Sequence, residues 1–460
     1  MKSPREKDIL LDNANRIHMI GIGGSGMYPL AEILHSKGYI VSGSDRIENE
    51  ATSRLSELGV KVFFGQAEEN VTGAELVVYS AAVHEDNPER VAAKREGIPQ
   101  MERSELLGAL TRKYNNVIGV AGTHGKTSAT SMITQILMLN KMQPTAVIGG
   151  KLPIADSYCV VGDSENFVCE SCEFVDSFLQ FSPDISVLLN IDDDHLDYFG
   201  NMDNLEASFK KFVSLSKLCY AFGDDERVRR AVESAGVKKV TYGFKKDNDY
   251  YAEDIRSLKH GYSFTVVKNG NAVGKVDLSV PGKHNVLNAL VSFAVCYDLG
   301  VDAEGIAEAL GKFTGAGRRF EILGDFGGIT VADDYGHHPT EMEATIKAAK
   351  DLGVNRVIIA FQPFTYSRVA NLKQGMIDAL KIADSVFLTS IVASREENIY
   401  GVSSEQIAAA VNGEVIDDYS VLADRMIAEA KPGDIIMTMG AGDIYKAARI
   451  IAERLKNANG

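Results

Sequence analysis

Residues 19 to 27 read "MIGIGGSGM", with Gly21, Gly23 and Gly26 in the spacing G-x-G-x-x-G. The apolar run "RIHMI" precedes them, and Met27, Leu30, Ala31 and Leu34 follow at i, i+3, i+4 and i+7 until Gly38. That pattern predicts a strand, a glycine turn and a helix. "YIVSGSD" (39–45) supplies the next strand, which completes a βαβ unit and implies a parallel sheet. A turn of this kind presents backbone N–H groups at a helix N-terminus to a diphosphate. Read alone, with Asp45 nineteen residues beyond Gly26, it also fits a nicotinamide cofactor.

A second loop argues against that simple reading. "GTHGKTS" (Gly122, Thr123, His124, Gly125, Lys126, Thr127, Ser128) follows the apolar strand "NNVIGVA" and precedes a helix striped by Ala129, Met132, Ile133 and Ile136. Backbone N–H groups there can hold phosphate oxygens, Lys126 can neutralise the β/γ-phosphates and the Thr127 hydroxyl can bind Mg²⁺. The loop is a shortened form of G-x-x-x-x-G-K-[ST], because Val120 stands where the first glycine would fall. An oxidoreductase reading leaves this loop idle.

The 460 residues predict about three domains at ~100–200 residues each. Further strands are predicted at "KVFFG", "LVVYSAA", "NFVCE" and "ISVLLN", with a loop at "HEDNPE". "YSFTVV" and "KVDLSV" flank the hairpin turn of "KNGNAVG", and "HNVLNALVSFAVCYDLG" reads as an amphipathic helix. "FTGAGRRFE" breaks the pattern, after which α/β alternation resumes through "ITVADDY", a helix from Pro339, "RVIIAFQP", "SVFLTS", "DIIMTMGAGD" and a last helix to about Leu455. The expected domains are residues 1–112, 113–316 and 317–460, an α/β chain throughout.

With 48 basic and 63 acidic residues the net charge is -15, which opposes a nucleic-acid partner. The charged beginning "MKSPREKDILLDNANR" and the lack of a ~20-residue apolar span predict a cytoplasmic protein without a membrane partner; monomer and homodimer are both compatible with the sequence. Cys169 and Cys172 form a C-x-x-C with no second Cys/His pair at finger spacing, so they read as half-buried thiols. Glu170 and Glu173 end the strand "NFVCE" and its loop, and "NIDDDHLD" follows "ISVLLN". Both acidic clusters, including His195 among Asp192, Asp193, Asp194 and Asp197, are expected at the carboxyl edge of a sheet, where phosphate and metal chemistry sits.

"GIGGSGM", "GTHGKTS", "CESCE", "NIDDDHLDYFG", "PGKHNVLNAL", "GAGRRFE" and "DDYGHHPTE", in this order along nearly the whole chain, resemble the Mur ligases of bacterial cell-wall synthesis. The resemblance implies an N-terminal Rossmann-like domain for a UDP-sugar, a central ATPase domain and a Rossmann-like C-terminal domain. It implies UDP-N-acetylmuramate, L-alanine and ATP as partners, ATP and Mg²⁺ as cofactors, and amide formation through an acyl phosphate. It assigns the diphosphate to Gly21, Ile22, Gly23, Gly24, Ser25, Gly26 and Met27, with Asp45, Ser80 and Arg103 alongside. Lys126 would hold the transferring phosphoryl group, Thr127 and Glu173 one Mg²⁺, and His195 a second. Asn285 and Asn288, at i, i+3 on one helix face, would contact the nucleotide.

Arg318 or Arg319 resembles a junction arginine that faces phosphate, and Asp334, rather than Asp333, would contact ATP. His337 and His338 read as loop packing before Pro339. In "FQPFTYSR" this chain has Phe364 and Thr365 where the family usually carries histidine and a second arginine; Arg368 is retained for the acyl phosphate or the L-alanine carboxylate. Related ligases carry a carbamylated lysine after the "DHLD" segment, but Lys210 and Lys211 read more simply as exposed helix residues. A ligase that adds a preformed peptide to the same sugar nucleotide is the nearest alternative within the family.

Overall fold

The computed structural model describes residues 4–259, 261–394 and 396–459. The chain divides into two compact units, residues 1–242 and 243–460.

The first unit opens on a five-stranded parallel sheet in the spatial order Lys61–Phe64, Ile40–Asp45, Arg16–Ile20, Leu76–Tyr79, Gln100–Glu102. Arg16–Ile20 pairs on one side with the next strand in sequence and on the other with a later one, so the winding reverses there. A crevice therefore opens outside its carboxyl end, where such sheets bind ligands. The helix Tyr28–Ser36 caps that crevice and buries Tyr28, Leu30, Ala31, Ile33 and Leu34 against the sheet. Asn87 accepts from the backbone N–H groups of Glu89 and Arg90, so the helix Pro88–Arg95 starts inside the stretch expected to be loop.

The second sheet of this unit runs Lys238–Gly243, Leu218–Phe222, Ile185–Leu188, Asn116–Ala121, Asn166–Glu170, Thr145–Leu152, Ser157–Val160. Ser157–Val160 pairs antiparallel and the other strands pair parallel. Asn116–Ala121 is flanked by two strands that come later in sequence. Val120, Ala121, Val168, Cys169, Val187 and Leu188 are wholly buried, as expected of strands covered on both faces. The helices Pro4–Asn13 and Arg103–Thr111, the strand Gln100–Glu102 and the hairpin Thr145–Leu152/Ser157–Val160 were not expected from sequence.

In the second unit, Tyr250–Leu258, Gly261–Lys268 and Asn271–Leu278 form an antiparallel meander. Lys268 pairs with Asn271, and the intervening Asn269 and Gly270 have φ 48° and 81°, the positive values a two-residue type I′ turn demands. The helix Lys283–Asp298 is not amphipathic as expected: Asn285, Val286 and the unbroken run Asn288 to Cys296 are buried, so it is core nearly all round.

A six-stranded sheet follows in the order Glu321–Phe326, Ile329–Asp334, Ile435–Met439, Val357–Phe361, Ser385–Leu388, Glu414–Val415, parallel but for its first strand. Among the described residues no helix is long and apolar enough to cross a membrane.

Candidate active site

Asn116–Ala121 delivers Gly122 to Gly125 at the carboxyl edge of its sheet, and the helix Lys126–Leu139 starts directly behind them. Gly125 (φ 83°) occupies the left-handed region and Gly122 has φ 138°. A Cβ at Gly122 would also lie 2.9 Å from that of Leu189, so glycine is required for the turn. The Lys126 side chain folds back over the loop: Nζ donates to the carbonyls of Gly122 (2.6 Å) and Thr123 (3.0 Å) and meets both Glu173 oxygens at 3.2 and 3.0 Å. Burial pulls the ammonium's pKa down, but the charges of Glu173, Cys172 and Glu170 outweigh it, and the net direction is above the ordinary lysine value. Lys126 is held as a cation where phosphate oxygens would arrive.

The two glutamates have separate duties. Glu173, 1% exposed, faces Lys126, whereas Thr127 Oγ1 donates to Glu170 Oε2 at 2.9 Å. The backbone N–H of Gly149 donates to the same Glu170 oxygen at 2.9 Å. Thr127 and Glu173 were expected to share one Mg²⁺; the hydrogen bond of the Thr127 hydroxyl goes to Glu170, the last residue of its strand, while Glu173 lies three residues on, at the start of a loop. A hydroxyl and a carboxylate oxygen in contact at the mouth of a phosphate loop form the hard, all-oxygen donor set that Mg²⁺ takes, so the residues present fit the ion.

Asn190, not singled out from sequence, holds the loop's shape. Its Oδ1 accepts from His124 N (2.8 Å), its Nδ2 donates to His124 O (3.0 Å), and its own carbonyl accepts from Thr123 N (3.2 Å). The apolar strand before it and the acidic run after it hid this role. His124 Nε2 lies 3.0 Å from Asp192 Oδ2, and Thr123 Oγ1 accepts from Asp192 N at 2.9 Å. His195 (φ 57°) begins the short helix Leu196–Phe199, with its ring 4.8 Å from that of Phe174 and Nε2 3.7 Å from Asp194 Oδ2. The side chain of Asp197 lies outside the described residues. Lys210 and Lys211 are exposed on the helix Met202–Ser214.

The first glycine loop is built without a cation of its own. Gly21 N and Ile22 N donate to Ser44 O (2.8 and 3.0 Å), and Gly23 N donates to Asp45 Oδ2 (2.9 Å). Asp45 Oδ1 also accepts from Arg46 N (2.7 Å), so Asp45 is a loop support. A Cβ at Gly23 would lie 2.6 Å from Thr52 Cγ2. Beside Gly26 lies the Arg103 side chain, its Nε 3.3 Å from where a Cβ would stand. Ser80 follows the neighbouring strand Leu76–Tyr79 on the same edge, Ile22 and Met27 are buried, and Gly24 and Ser25 are exposed.

In the second unit, Asn285 Nδ2 donates to Pro281 O (2.7 Å) and Asn288 Nδ2 to Asn285 Oδ1 (3.2 Å). The two asparagines share a face and brace the helix start. Arg318 (φ 61°) is spent internally: Nε donates to Asp333 Oδ2 (2.9 Å), Nη1 to Gly442 O (2.8 Å) and Nη2 to Gly440 O (2.6 Å), between the rings of Tyr335 and Tyr445. Arg319 sits 4.9 Å from the Tyr335 ring and 3.8 Å from Glu341 Oε1.

Asp334 accepts from Phe320 N and Gly336 N, both at 2.7 Å. Its burial outweighs Arg319 and these N–H groups and pushes its pKa up to about 6. His338 caps the helix Pro339–Asp351, accepting from Thr340 N, and His337 Nδ1 is 3.1 Å from Tyr335 O. Thr365, at φ 59° and ψ 140°, caps the helix Tyr366–Leu380 on which Arg368 stands, and the Phe364 ring is 6.4 Å from that of His337.

Three family models match in succession: "Mur ligase family, catalytic domain" over residues 16–115, "Mur ligase middle domain" over 120–296 and "Mur ligase, glutamate ligase domain" over 318–442. A curated UDP-N-acetylmuramate–L-alanine ligase of Caldicellulosiruptor saccharolyticus is 42% identical over 450 residues, which cover 96% of this chain and 99% of that one. This chain belongs to the Mur ligase family. Among solved structures, the UDP-N-acetylmuramate-alanine ligase MurC of Thermotoga maritima matches with TM-score 0.82 and 30% identity, covering 96% of this chain and 99% of that one. A murein peptide ligase of Psychrobacter arcticus matches with TM-score 0.71 and 25% identity over the same shares. The Mur ligase architecture of three successive α/β domains thus applies to the whole chain.

Both cysteines of the C-x-x-C of this Mur ligase are free thiols. Burial pushes the Cys169 thiol up to about 12 and the Cys172 thiol to about 11, which keeps both protonated and inert. Cys169 is wholly buried and Cys172 half-buried, as free thiols.

Proposed function

We propose that this Mur ligase joins L-alanine to the lactyl carboxylate of UDP-N-acetylmuramate, consuming ATP. The reading is carried by one observation: the first unit holds two glycine loops at the carboxyl edges of two sheets, and the second brings an ammonium, Lys126, together with the Thr127 hydroxyl and the carboxylates of Glu170 and Glu173. The first is suited to hold a diphosphate passively, the second to transfer a phosphoryl group. The curated relative and the Thermotoga maritima structure, both named for the alanine reaction, support the choice of amino acid over a preformed peptide.

A carboxylate is a poor electrophile. Transfer of the γ-phosphoryl group from ATP to a carboxylate oxygen gives an acyl phosphate and ADP. The amine of L-alanine then attacks the carbonyl carbon, and phosphate leaves as the amide forms. Lys126 releases the carbonyls of Gly122 and Thr123 and follows the transferring oxygens, charge stabilisation of the kind that dominates phosphoryl transfer. Thr127 and Glu170 would hold Mg²⁺, which would supply neutralisation of phosphate charge there. Glu173 keeps Lys126 charged and aimed.

Gly21 to Met27 take the UDP diphosphate with Arg103 supplying the positive charge, and Ser80 lines the same edge. The family resemblance assigns Arg319 to phosphate, Asn285, Asn288 and Asp334 to the nucleotide and Arg368 to the amino-acid carboxylate, and leaves Arg318, whose guanidinium is committed to Asp333, Gly440 and Gly442, to structure. The domain limits that go with these roles are 1–112, 113–316 and 317–460, and the setting is cytoplasmic.

The test is coupled ADP release with UDP-N-acetylmuramate and, in turn, L-alanine, glycine, L-serine and L-alanyl-γ-D-glutamyl-meso-diaminopimelate. Release that requires the sugar nucleotide and is strongest with L-alanine is expected. Stimulation by the tripeptide alone would transfer the chain to the peptide ligases, and no stimulation by any acceptor would remove the ligase reading.

A further inference from the structure

The two phosphate loops of the first unit are linked through one hairpin. Tyr28 directly follows the UDP loop, and its backbone N–H donates to Gly24 O at 2.9 Å. Its side chain, 3% exposed, points away from the loop and into the central domain. There the hydroxyl meets Ser157 Oγ at 3.2 Å, and the ring stands edge-on to Tyr158 at 6.3 Å. Ser157 is 4% exposed and begins the strand Ser157–Val160.

The partner strand Thr145–Leu152 pairs Leu152 with Ser157 and Val147 with Cys159, and its register shifts between those pairs. Gly149 lies inside that irregular segment. Its N–H donates to Glu170 Oε2, the oxygen that also accepts from Thr127. A Cβ on Gly149 would come within 2.2 Å of that oxygen, so strand and carboxylate touch with no slack.

Ion pairs lie around this line, one of which crosses between the domains. Glu32, one turn beyond Tyr28 on the same helix, is 3.6 Å from Arg54. Lys151 joins Glu50 of the first domain (2.9 Å) to Asp156 at the hairpin turn (2.8 Å). The hairpin is therefore held beside its turn by the helix behind the UDP loop and, within its irregular segment, by the carboxylate beside the ATP loop.

We propose that Tyr28 and Ser157 are positioning residues that couple the two nucleotide sites, so that each nucleotide binds more tightly when the other is present. An occupied UDP loop fixes Gly24 and with it the Tyr28 hydroxyl; the hydroxyl fixes the hairpin; the hairpin fixes Glu170 against Thr127. Coupling between sites is reciprocal by thermodynamic necessity, so it is readable from either ligand. The inference rests on the assignment of a UDP-sugar to the first loop.

The experiment is calorimetric titration of UDP-N-acetylmuramate into the full chain, alone and with saturating non-hydrolysable ATP analogue and Mg²⁺. It is repeated for Tyr28→Phe, Ser157→Ala and the double variant. In the unaltered protein the analogue should tighten UDP-sugar binding about fivefold or more, the lower end of ordinary coupling. Each single variant should bind either ligand alone within about twofold of normal while the coupling falls below about twofold, and the double variant should lose no more than one single, since both remove the same bond.

Steady-state kinetics would then show KM for the sugar nucleotide raised at saturating ATP with kcat nearly kept. Coupling that survives in both single variants, its absence from the unaltered protein, or equal weakening of UDP-sugar binding with and without the analogue would overturn the proposal. A protein that binds no UDP-sugar at all would instead remove the functional reading, and this inference with it.

Discussion

The Lys126–Glu173 pair allows stability and chemistry to be separated at a single contact. Lys126 is 12% exposed and Glu173 1% exposed, with closest N···O distance 3.0 Å. At an effective dielectric of about 20, two unit charges at that distance attract by about 5 kcal/mol, and desolvation offsets much of this. Removing one partner is a different matter, because it strands the other charge: for buried pairs the loss is about 3–5 kcal/mol.

Lys126→Met should therefore lower the melting temperature of the first unit, residues 1–242. At roughly 2–4 °C per kcal/mol for a body of that size, the drop is about 10 °C. Glu173→Gln should cost less, because Nζ keeps the carbonyls of Gly122 and Thr123. The double variant Lys126→Met/Glu173→Gln removes both charges and should recover most of the lysine variant's deficit. Calorimetric melting of the four proteins gives the interaction directly as a double-mutant cycle. ADP release should follow the opposite logic: absent in Lys126→Met and in the double variant, retained within about tenfold in Glu173→Gln. A double variant no more stable than Lys126→Met would refute the argument, as would turnover without the lysine.

Three further outcomes follow from contacts elsewhere. Gly149→Ala puts a methyl 2.2 Å from Glu170 Oε2; the melting temperature should change little, while the Mg²⁺ concentration for half-maximal ADP release rises about tenfold, and an unchanged Mg²⁺ titration would disprove the role given to Glu170. Arg318→Lys breaks a planar donor set serving Asp333, Gly440 and Gly442 and should destabilise the protein by about 2 kcal/mol; Arg319→Lys should leave stability nearly intact and reduce kcat, and the reverse pattern would exchange their roles.

Asp334 has its folded pKa near 6, above the ordinary aspartate value of 3.8, because it is buried. The folded state therefore binds the extra proton, and its contribution to stability is full below about 3.8 and lost as pH rises toward 6, about 3 kcal/mol in all at 1.36 kcal/mol per unit. Relative to the parent, Asp334→Asn should gain stability between pH 4 and pH 6 and stay level above it, as urea midpoints would show; a flat difference across that window would contradict the burial argument.

What could be read from the sequence depended on whether the deciding physics was local. The two glycine loops were legible because strand, turn and helix follow one another within twenty residues, and the structure places both at carboxyl edges where the winding reverses. The hairpin Thr145–Leu152/Ser157–Val160 was not, since Gly149 and Gly150 interrupt its apolar pattern, and glycine in a strand lowers any strand preference. The reason for Gly149 is the Glu170 carboxylate 21 positions away, which no periodicity contains.

The same gap separates Glu170 from Glu173. As the final residue of a strand between two others, Glu170 has its direction set by the sheet. Glu173 leads into a turn in which Val175 and Asp176 take φ 49° and 56°, and its direction is set by that loop. Arg318 and Arg319 make the case most plainly. In sequence they are two like residues side by side; in the fold, Arg318 spends its donors on Asp333, Gly440 and Gly442, the last two more than 120 residues away. Two identical side chains in succession are told apart by the fold, which commits the donors of Arg318 to contacts that no local pattern contains.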